Sequence, residues 1–337
     1  MAFCKISKNK LFHNLAQFEK LIPLEKIGVV LKRNAYGHGI IEIANLIKEY
    51  GVQNVIVKDI SEANLIQDLF NSVLVLYDIP EGNLPNNVSI AINSIENIEK
   101  IPQNTSVELK IDTGMHRNGI RPDQIEKALK LINKNRLILK GVFTHFACSN
   151  ENNNSIFNQK EIFDKIKTDI LSCKMEENPR FHCSATAGTL RFDNKEYDLV
   201  RIGLGVFGYV DIDEAFNHLN LKPVLSLWAN KVSTRSIQKD ETIGYGGAFK
   251  AEKQMIVSTY DIGYGDGFFR LNEDSIFLIE NGNPILGRTS MDSFSTIGDQ
   301  EEVCIFNDVS KLSELNNTIV YESLVRIDQK MKRIITK

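Results

Sequence analysis

The chain has 337 residues, with 40 lysines and arginines against 43 aspartates and glutamates, a net charge of −3, and 42% hydrophobic residues. That length suits one large barrel or two domains around a substantial core. The balanced charge, with no block of one sign, argues against a dedicated nucleic-acid or anionic-membrane binder. No apolar run approaches the roughly 18 residues that span a bilayer. Five scattered cysteines without a CxxC pair fit reduced thiols, not a disulfide framework or a zinc site. The lysines of residues 1–10 are followed by no apolar stretch of the signal-peptide kind, so a cytoplasmic location is expected.

Along the first two-thirds, apolar β-branched runs alternate with amphipathic stretches. Strand-like runs fall at 27–32, 55–60, 73–79, 88–93, 106–112, 140–146, 181–187 and 199–209. Helical patterns lie between most of them, at 40–50, 61–70, 121–134 and 158–173, and 94–101 leaves room for about two turns. Eight strands with helical crossovers predict a (β/α)8 barrel over residues 1–220. After about residue 220 strand-like runs recur without long helical patterns, at 224–237, 254–264, 276–280, 302–306 and 318–321, so 221–337 is expected to be a mostly β domain. The polar tract 149–155 (SNENNNS) reads as a loop without chemistry.

Functional residues of such a barrel sit at the C-terminal ends of its strands. The first strand ends in VVLKRNAYGHG (29–39), where a lysine meets a glycine-rich turn. Burying an ammonium is costly, and desolvation lowers its pKa, which is how enzymes make lysine a nucleophile or a proton-transfer base. Charged strand ends are also common, so this segment alone leaves open whether Lys32 merely reaches out of the sheet. The same rim collects Lys110, Arg117, His145, Thr186 and Arg201.

GLGVFG (203–208) matches the GxGxxG expression but fails its context, because it is late, strand-like and followed by no amphipathic helix. Backbone N–H groups of a strand-eight loop holding a phosphate fit it better. The six histidines show no metal-ligand spacing. In the second domain, DIGYGDG (261–267) sets a tyrosine between glycines after an apolar strand. That is either a tight turn or a phenol left accessible. GRTSMD (287–292) is similarly polar after a strand-like 284–286.

Together these segments resemble the alanine racemase family. The match comprises LKRNAYGHG (31–39), KIDTGMHRNGI (110–120), THF (144–146), HCSATAGTLRF (182–192), LVRIGLGVFGY (199–209), IGYGDGFFR (262–270), GRTSMD (287–292) and VYESL (320–324), all in family order. The resemblance implies a barrel with a C-terminal β domain, a head-to-tail homodimer, pyridoxal 5′-phosphate as cofactor, and two-base interconversion of L- and D-alanine that supplies peptidoglycan synthesis. By that resemblance Lys32 holds the cofactor covalently and is one base, and Tyr264 is the other. Arg117 contacts the cofactor's phenolic oxygen and the substrate carboxylate. Tyr36, Thr186, Gly203, Leu204 and Tyr321 take the phosphate positions, and Arg201 faces the pyridine nitrogen. A phenol of pKa near ~10 is a poor base at neutral pH, and His145 with Arg201 would form the relay that lowers it.

The counterparts of Tyr264, Met291 and Asp292 come from the partner subunit. Met291 would contact substrate and Asp292 would support catalysis, so the site would be complete only in the dimer. Lys110 matches a position that is sometimes carbamylated. Arg33, His116, Ala185-Thr186 and Thr289-Ser290 depart from the usual family residues without removing a catalytic group. Three other readings share the scaffold: a racemase of broader specificity, a pyridoxal-phosphate homeostasis protein, which is a lone barrel, and a basic-amino-acid decarboxylase, whose signature motifs are absent.

Overall fold

The computed structural model describes residues 1–173, 177–216, 218–271 and 276–337. It divides into two compact units, Phe12–Ala35 with Ile43–Leu221, and Met1–Leu11 with Tyr36–Glu42 and Lys222–Lys337.

The first unit is an eight-stranded parallel barrel. Its strands are Ile27–Val30, Asn54–Val57, Ser72–Val75, Val88–Ile92, Ser106–Lys110, Ile138–Phe143, Arg180–His182 and Val200–Ile202, each beside its sequence neighbour, with the last paired to the first. Strands one, four and five are buried along their whole length, as parallel strands are when helices cover the outside. Between strands seven and eight the ladder shrinks to the Ala185–Arg201 bridge, with Arg201 N–H donating to Ser184 O at 2.9 Å. All eight expected strands are present, though each stops short of its expected end. Strand one ends at Val30, and strand eight gives way after Ile202 to a 3-10 turn, Leu204–Phe207. Strand seven stops at His182, so Thr186 opens the helix Thr186–Arg191 and does not end a strand. The expected helices appear as Ile40–Tyr50, Ile60–Ile66, Ile125–Lys134 and Ser155–Ser172, and 94–101 forms the 3-10 segment Ile95–Lys100.

The second unit is built on Leu225–Ile237, whose register shifts between Lys231 and Ser233. Its first half pairs with Phe3–Ser7 and Glu302–Phe306, and its second half with Met255–Tyr260, which pairs in turn with Phe294–Ile297. Phe3–Ser7 also runs parallel to Lys332–Thr336, so both chain ends enter this sheet. Residues 1–11 and 36–42, which the sequence pattern placed with the barrel, therefore belong to this unit.

Two expected strands are absent. Residues 276–280 make the single bridge Leu278–Pro284, closed by Ile279 N–H to Asn283 O at 2.9 Å and Ile285 N–H to Phe277 O at 3.0 Å. Residues 318–321 run into the helix Val320–Val325: Thr318 binds the Glu322 carboxylate one turn on, Ser313 Oγ donates to Ser323 Oγ at 2.7 Å, and Leu324 is wholly buried. Packing of the apolar face outweighs the β-branched Ile319 and Val320.

Candidate active site

Lys32 lies just beyond the first barrel strand, and the backbone turns sharply there. Arg33, Asn34, Ala35 and Tyr36 have φ of 56, 55, 51 and 53°. Four successive non-glycine residues in a left-handed turn cost ~1–2 kcal/mol each, so the surroundings must hold them. Ala35 N–H donates to Leu31 O at 2.7 Å. Glu62, on the helix Ile60–Ile66, accepts the Asn34 N–H at 3.1 Å and the Lys58 N–H at 2.8 Å. The turn aims Lys32 instead of letting it trail along the strand, and strain of this kind is retained where the placement of a side chain matters. Burial, then the guanidinium groups of Arg117 and Arg33, hold the Lys32 ammonium below the usual lysine range, and Glu62 opposes them.

Arg201, on strand eight, is 5% exposed inside the barrel. Its Nη1 donates to His182 Nδ1 at 2.7 Å, and its Nη2 to Thr144 O at 2.7 Å, Cys183 O at 3.1 Å and His145 Nδ1 at 3.4 Å. A guanidinium cannot accept, so both histidines present a bare Nδ1 and carry their proton on Nε2. Burial and the positive charges of Arg201, Lys110, Arg117 and Lys32 push His145 down to about 3, so it is a neutral N–H donor at neutral pH. Burial lowers Arg201 to about 10, which still leaves it protonated.

Lys110 ends strand five, and burial, then Arg117, Arg201 and Lys32, bring it down to about 8. It donates to Asn118 Oδ1, and Asn118 Nδ2 donates to Asn93 Oδ1 at 3.0 Å. Asp112 accepts the N–H groups of Gly114, Met115 and His116 at 3.1, 3.0 and 3.0 Å, shaping the loop that carries Arg117. Lys32, Lys110, Arg117, His145 and Arg201 are thus within electrostatic reach of one another. The sequence pattern gives no sign of Asn118, Glu62, Glu108 and His182 in this environment; Glu62 meets Asn34 across 28 residues and Glu108 meets His182 across 74.

Thr186 Oγ1 accepts the N–H of Gly203 at 3.1 Å, which joins the start of the helix Thr186–Arg191 to the turn Leu204–Phe207. The opening N–H groups of such turns have no acceptor within the turn. A Cβ on Gly205 would lie 2.6 Å from Phe18 and 2.7 Å from the Thr186 methyl, so glycine is what lets the turn lie against Thr186. Two lysines, two arginines and a hydroxyl-lined turn form a donor set that suits an anionic cofactor bearing a phosphate and a phenolate oxygen. Pyridoxal phosphate fits that description.

The other expected site residues lie in the second unit. The rings of Tyr36 and Tyr321 meet edge to face with centroids 5.9 Å apart. Gly37 lies so close to the helix Val320–Val325 that an added Cβ would come 2.2 Å from Leu324 O. Tyr264 N–H donates to Ser290 O at 3.1 Å and Gly265 N–H to Met291 O at 2.8 Å, so the tyrosine loop and the one carrying Met291 and Asp292 are tied together. Tyr264 is 39% exposed and Met291 55%.

The buried histidines make the fold acid-sensitive. Burial holds His182 below the usual imidazole range, with Arg201 adding to the effect, while in the unfolded chain it titrates near 6.5. Below that pH the unfolded chain binds more protons, so stability falls as pH drops from 6.5 toward the folded value. Glu108, held down to about 2 by Arg180 and His182 despite its burial, acts in the same direction between 4.5 and about 2. Urea denaturation at pH 4.5 should therefore give an unfolding free energy lower than at pH 7 by on the order of 2 kcal/mol. Equal values would contradict neutral, buried imidazoles.

Comparison with known proteins finds one family over most of the chain. The family profile described as alanine racemase, N-terminal domain, matches residues 6–211, and that for alanine racemase, C-terminal domain, matches 224–335. A protein named alanine racemase from a Nitratiruptor species is 41% identical over 337 residues, covering 99% of each chain. The crystal structure of alanine racemase from Bacillus anthracis with bound L-Ala-P superposes with a TM-score of 0.85 at 24% identity, covering 100% of this chain and 95% of that one. A histidine racemase from Leuconostoc mesenteroides subsp. sake superposes with a TM-score of 0.84 at 22% identity, covering 100% and 98%. The fold is therefore shared by racemases titled for different amino acids.

Proposed function

Because the chain belongs to the alanine racemase family, we propose that it interconverts L-alanine and D-alanine with pyridoxal 5′-phosphate as cofactor. The observation that carries this reading is the cluster of Lys32, Lys110, Arg117 and Arg201 at one end of the barrel, joined through Arg201 to a neutral His145. The C-terminal domain match at 224–335 speaks against a lone-barrel homeostasis protein.

The cofactor supplies an electron sink for the charge left when the α-proton departs. Every other task falls to the chain. Lys32, lowered by burial and by Arg117, provides a nitrogen able to bond the cofactor and to take a proton on one face. Thr186 with the N–H groups of Gly203 and Leu204, together with Tyr36 and Tyr321, would hold the phosphate. Arg117 would hold the phenolic oxygen and the substrate carboxylate, with Lys110 beside it. Arg201 would present an N–H donor to the pyridine nitrogen, and since a guanidinium does not yield its proton readily, it would leave that nitrogen unprotonated and so moderate the sink.

On the opposite face Tyr264 would hold or take the proton. The Nε2–H of His145 is the donor that would stabilise its phenolate as it takes up this role. Tyr264, Met291 and Asp292 would come from the partner subunit. The exposure of Tyr264 and Met291, and of Tyr245 at 67%, supports a face that a second copy covers.

Subunit complementation tests both the dimer and the shared site. Lys32→Ala and Tyr264→Phe, each inactive alone, should regain about a quarter of wild-type racemisation after mixing, because random pairing gives half hybrids with one intact site each. No recovery despite demonstrated subunit exchange would mean that each site is built within one chain.

A further inference from the structure

The inner layers of a barrel of this kind are usually filled by Val, Ile and Leu. Here strand five turns Glu108 inward two residues before Lys110, and Glu108 is fully buried. Its Oε2 accepts from His182 Nε2 at 2.6 Å, and its Oε1 accepts from Arg180 Nε at 3.1 Å. Room for the carboxylate is cleared by Gly141 on the adjacent strand, where a Cβ would lie 2.5 Å from Oε2. His182 is 0% exposed, stacked on Phe143 at 4.9 Å with the planes 5° apart, and its other nitrogen faces Arg201 Nη1 at 2.7 Å. A continuous line runs from Arg180 through Glu108 and His182 to Arg201.

The proton placement along this line is determined from both ends. An ionised carboxylate only accepts and a guanidinium only donates, so the ring between them must carry its proton toward Glu108 and its lone pair toward Arg201. We propose that Glu108 is a positioning residue that acts through His182, holding the imidazole in the tautomer that receives Arg201 and thereby fixing where the guanidinium points. Removing the carboxylate strands the Nε2–H without an acceptor. The other tautomer would satisfy neither end, since it would set an N–H against the N–H of Arg201. The negative charge also favours the protonated form of Arg201, against the burial that lowers it. A buried ionic chain is a costly way to fill a barrel layer, and apolar replacement of such pairs is often neutral for stability. Retaining it is consistent with a service to Arg201.

This inference rests on the proposed role of Arg201, so its test has a part independent of racemisation. Histidine labelled with nitrogen-15, in the cofactor-loaded protein at pH 7, should show His182 protonated at Nε2 and bare at Nδ1, with the signal assigned by its loss in His182→Gln. Glu108→Gln keeps an acceptor for Nε2–H and should keep that signature and kcat within about 5-fold of wild type. Glu108→Leu with Arg180→Leu removes both charges together, leaving no unpaired ion. It should retain its melting transition, shift the His182 Nε2 signal as that N–H loses its acceptor, and lower kcat by ~10–10²-fold with KM for alanine changed much less, as expected when a reacting geometry is displaced. A His182 proton on Nδ1 in the wild type, or full kcat in the folded double variant, would overturn the proposal. If the double variant does not fold, a Glu108→Gln protein with mixed His182 tautomers would overturn it and a retained signature would support it. Absence of alanine racemisation in the wild type would defeat the functional reading, and the tautomer measurement would then decide the role of Glu108 by itself.

Discussion

Replacing Lys32 with alanine should abolish racemisation and the covalent hold on the cofactor at once. The loss combines a base, whose contribution is typically ~10²–10⁴-fold, with the attachment that orients the reacting carbon, so activity should fall by more than about 10⁴-fold. Borohydride treatment of the wild type followed by peptide mapping should place the pyridoxyl group on Lys32. A label on Lys110 instead would show that the second buried lysine, brought down to about 8, is the nucleophile. The apoprotein of the variant should melt close to the wild type, since removing the half-buried ammonium relieves its desolvation and its repulsion by Arg117 and Arg33. A large drop in melting temperature would mean that Lys32 holds the left-handed turn together instead of being aimed by it.

The second large effect separates the two faces of the substrate. Tyr264→Phe removes the phenol and keeps the ring, so packing of the Tyr264–Met291 loops should survive. With Lys32 assigned to D-alanine and Tyr264 to L-alanine, exchange of α-deuterium from L-alanine should fall by ~10²–10⁴-fold, while exchange from D-alanine falls much less. Racemisation itself must slow equally in both directions, because the equilibrium constant between enantiomers is unity. The asymmetry can appear only in the exchange half-reactions. Equal loss of exchange from both enantiomers would remove Tyr264 from a single-face role.

Much of the site was legible because its residues stand at strand ends, and strand ends can be read from apolar periodicity. Lys32, Lys110, Arg117, His145 and Arg201 fall at the same rim of the barrel for that reason. Periodicity puts Thr186 on strand seven, but the chain leaves that strand at His182 and the hydroxyl opens a helix. Glu108 and His182 were passed over because each looks ordinary in its own strand. Only the pairing of strands five, six and seven puts a carboxylate, a glycine gap and an imidazole side by side.

By itself, then, the sequence determined the alternation of eight strands and their crossovers, the change of texture near residue 220, and which polar groups stand at the strand ends, because hydrophobic periodicity and turn chemistry act over a few neighbouring residues. The tertiary structure alone decided that Phe3–Ser7 and residues 36–42 join the C-terminal unit, that 320–325 is helical, that the turn after Lys32 is left-handed, and that His145 and His182 both carry their proton on Nε2. These depend on hydrogen-bond partners and packing surfaces tens to hundreds of residues away, and a local pattern carries no record of which distant group will face it.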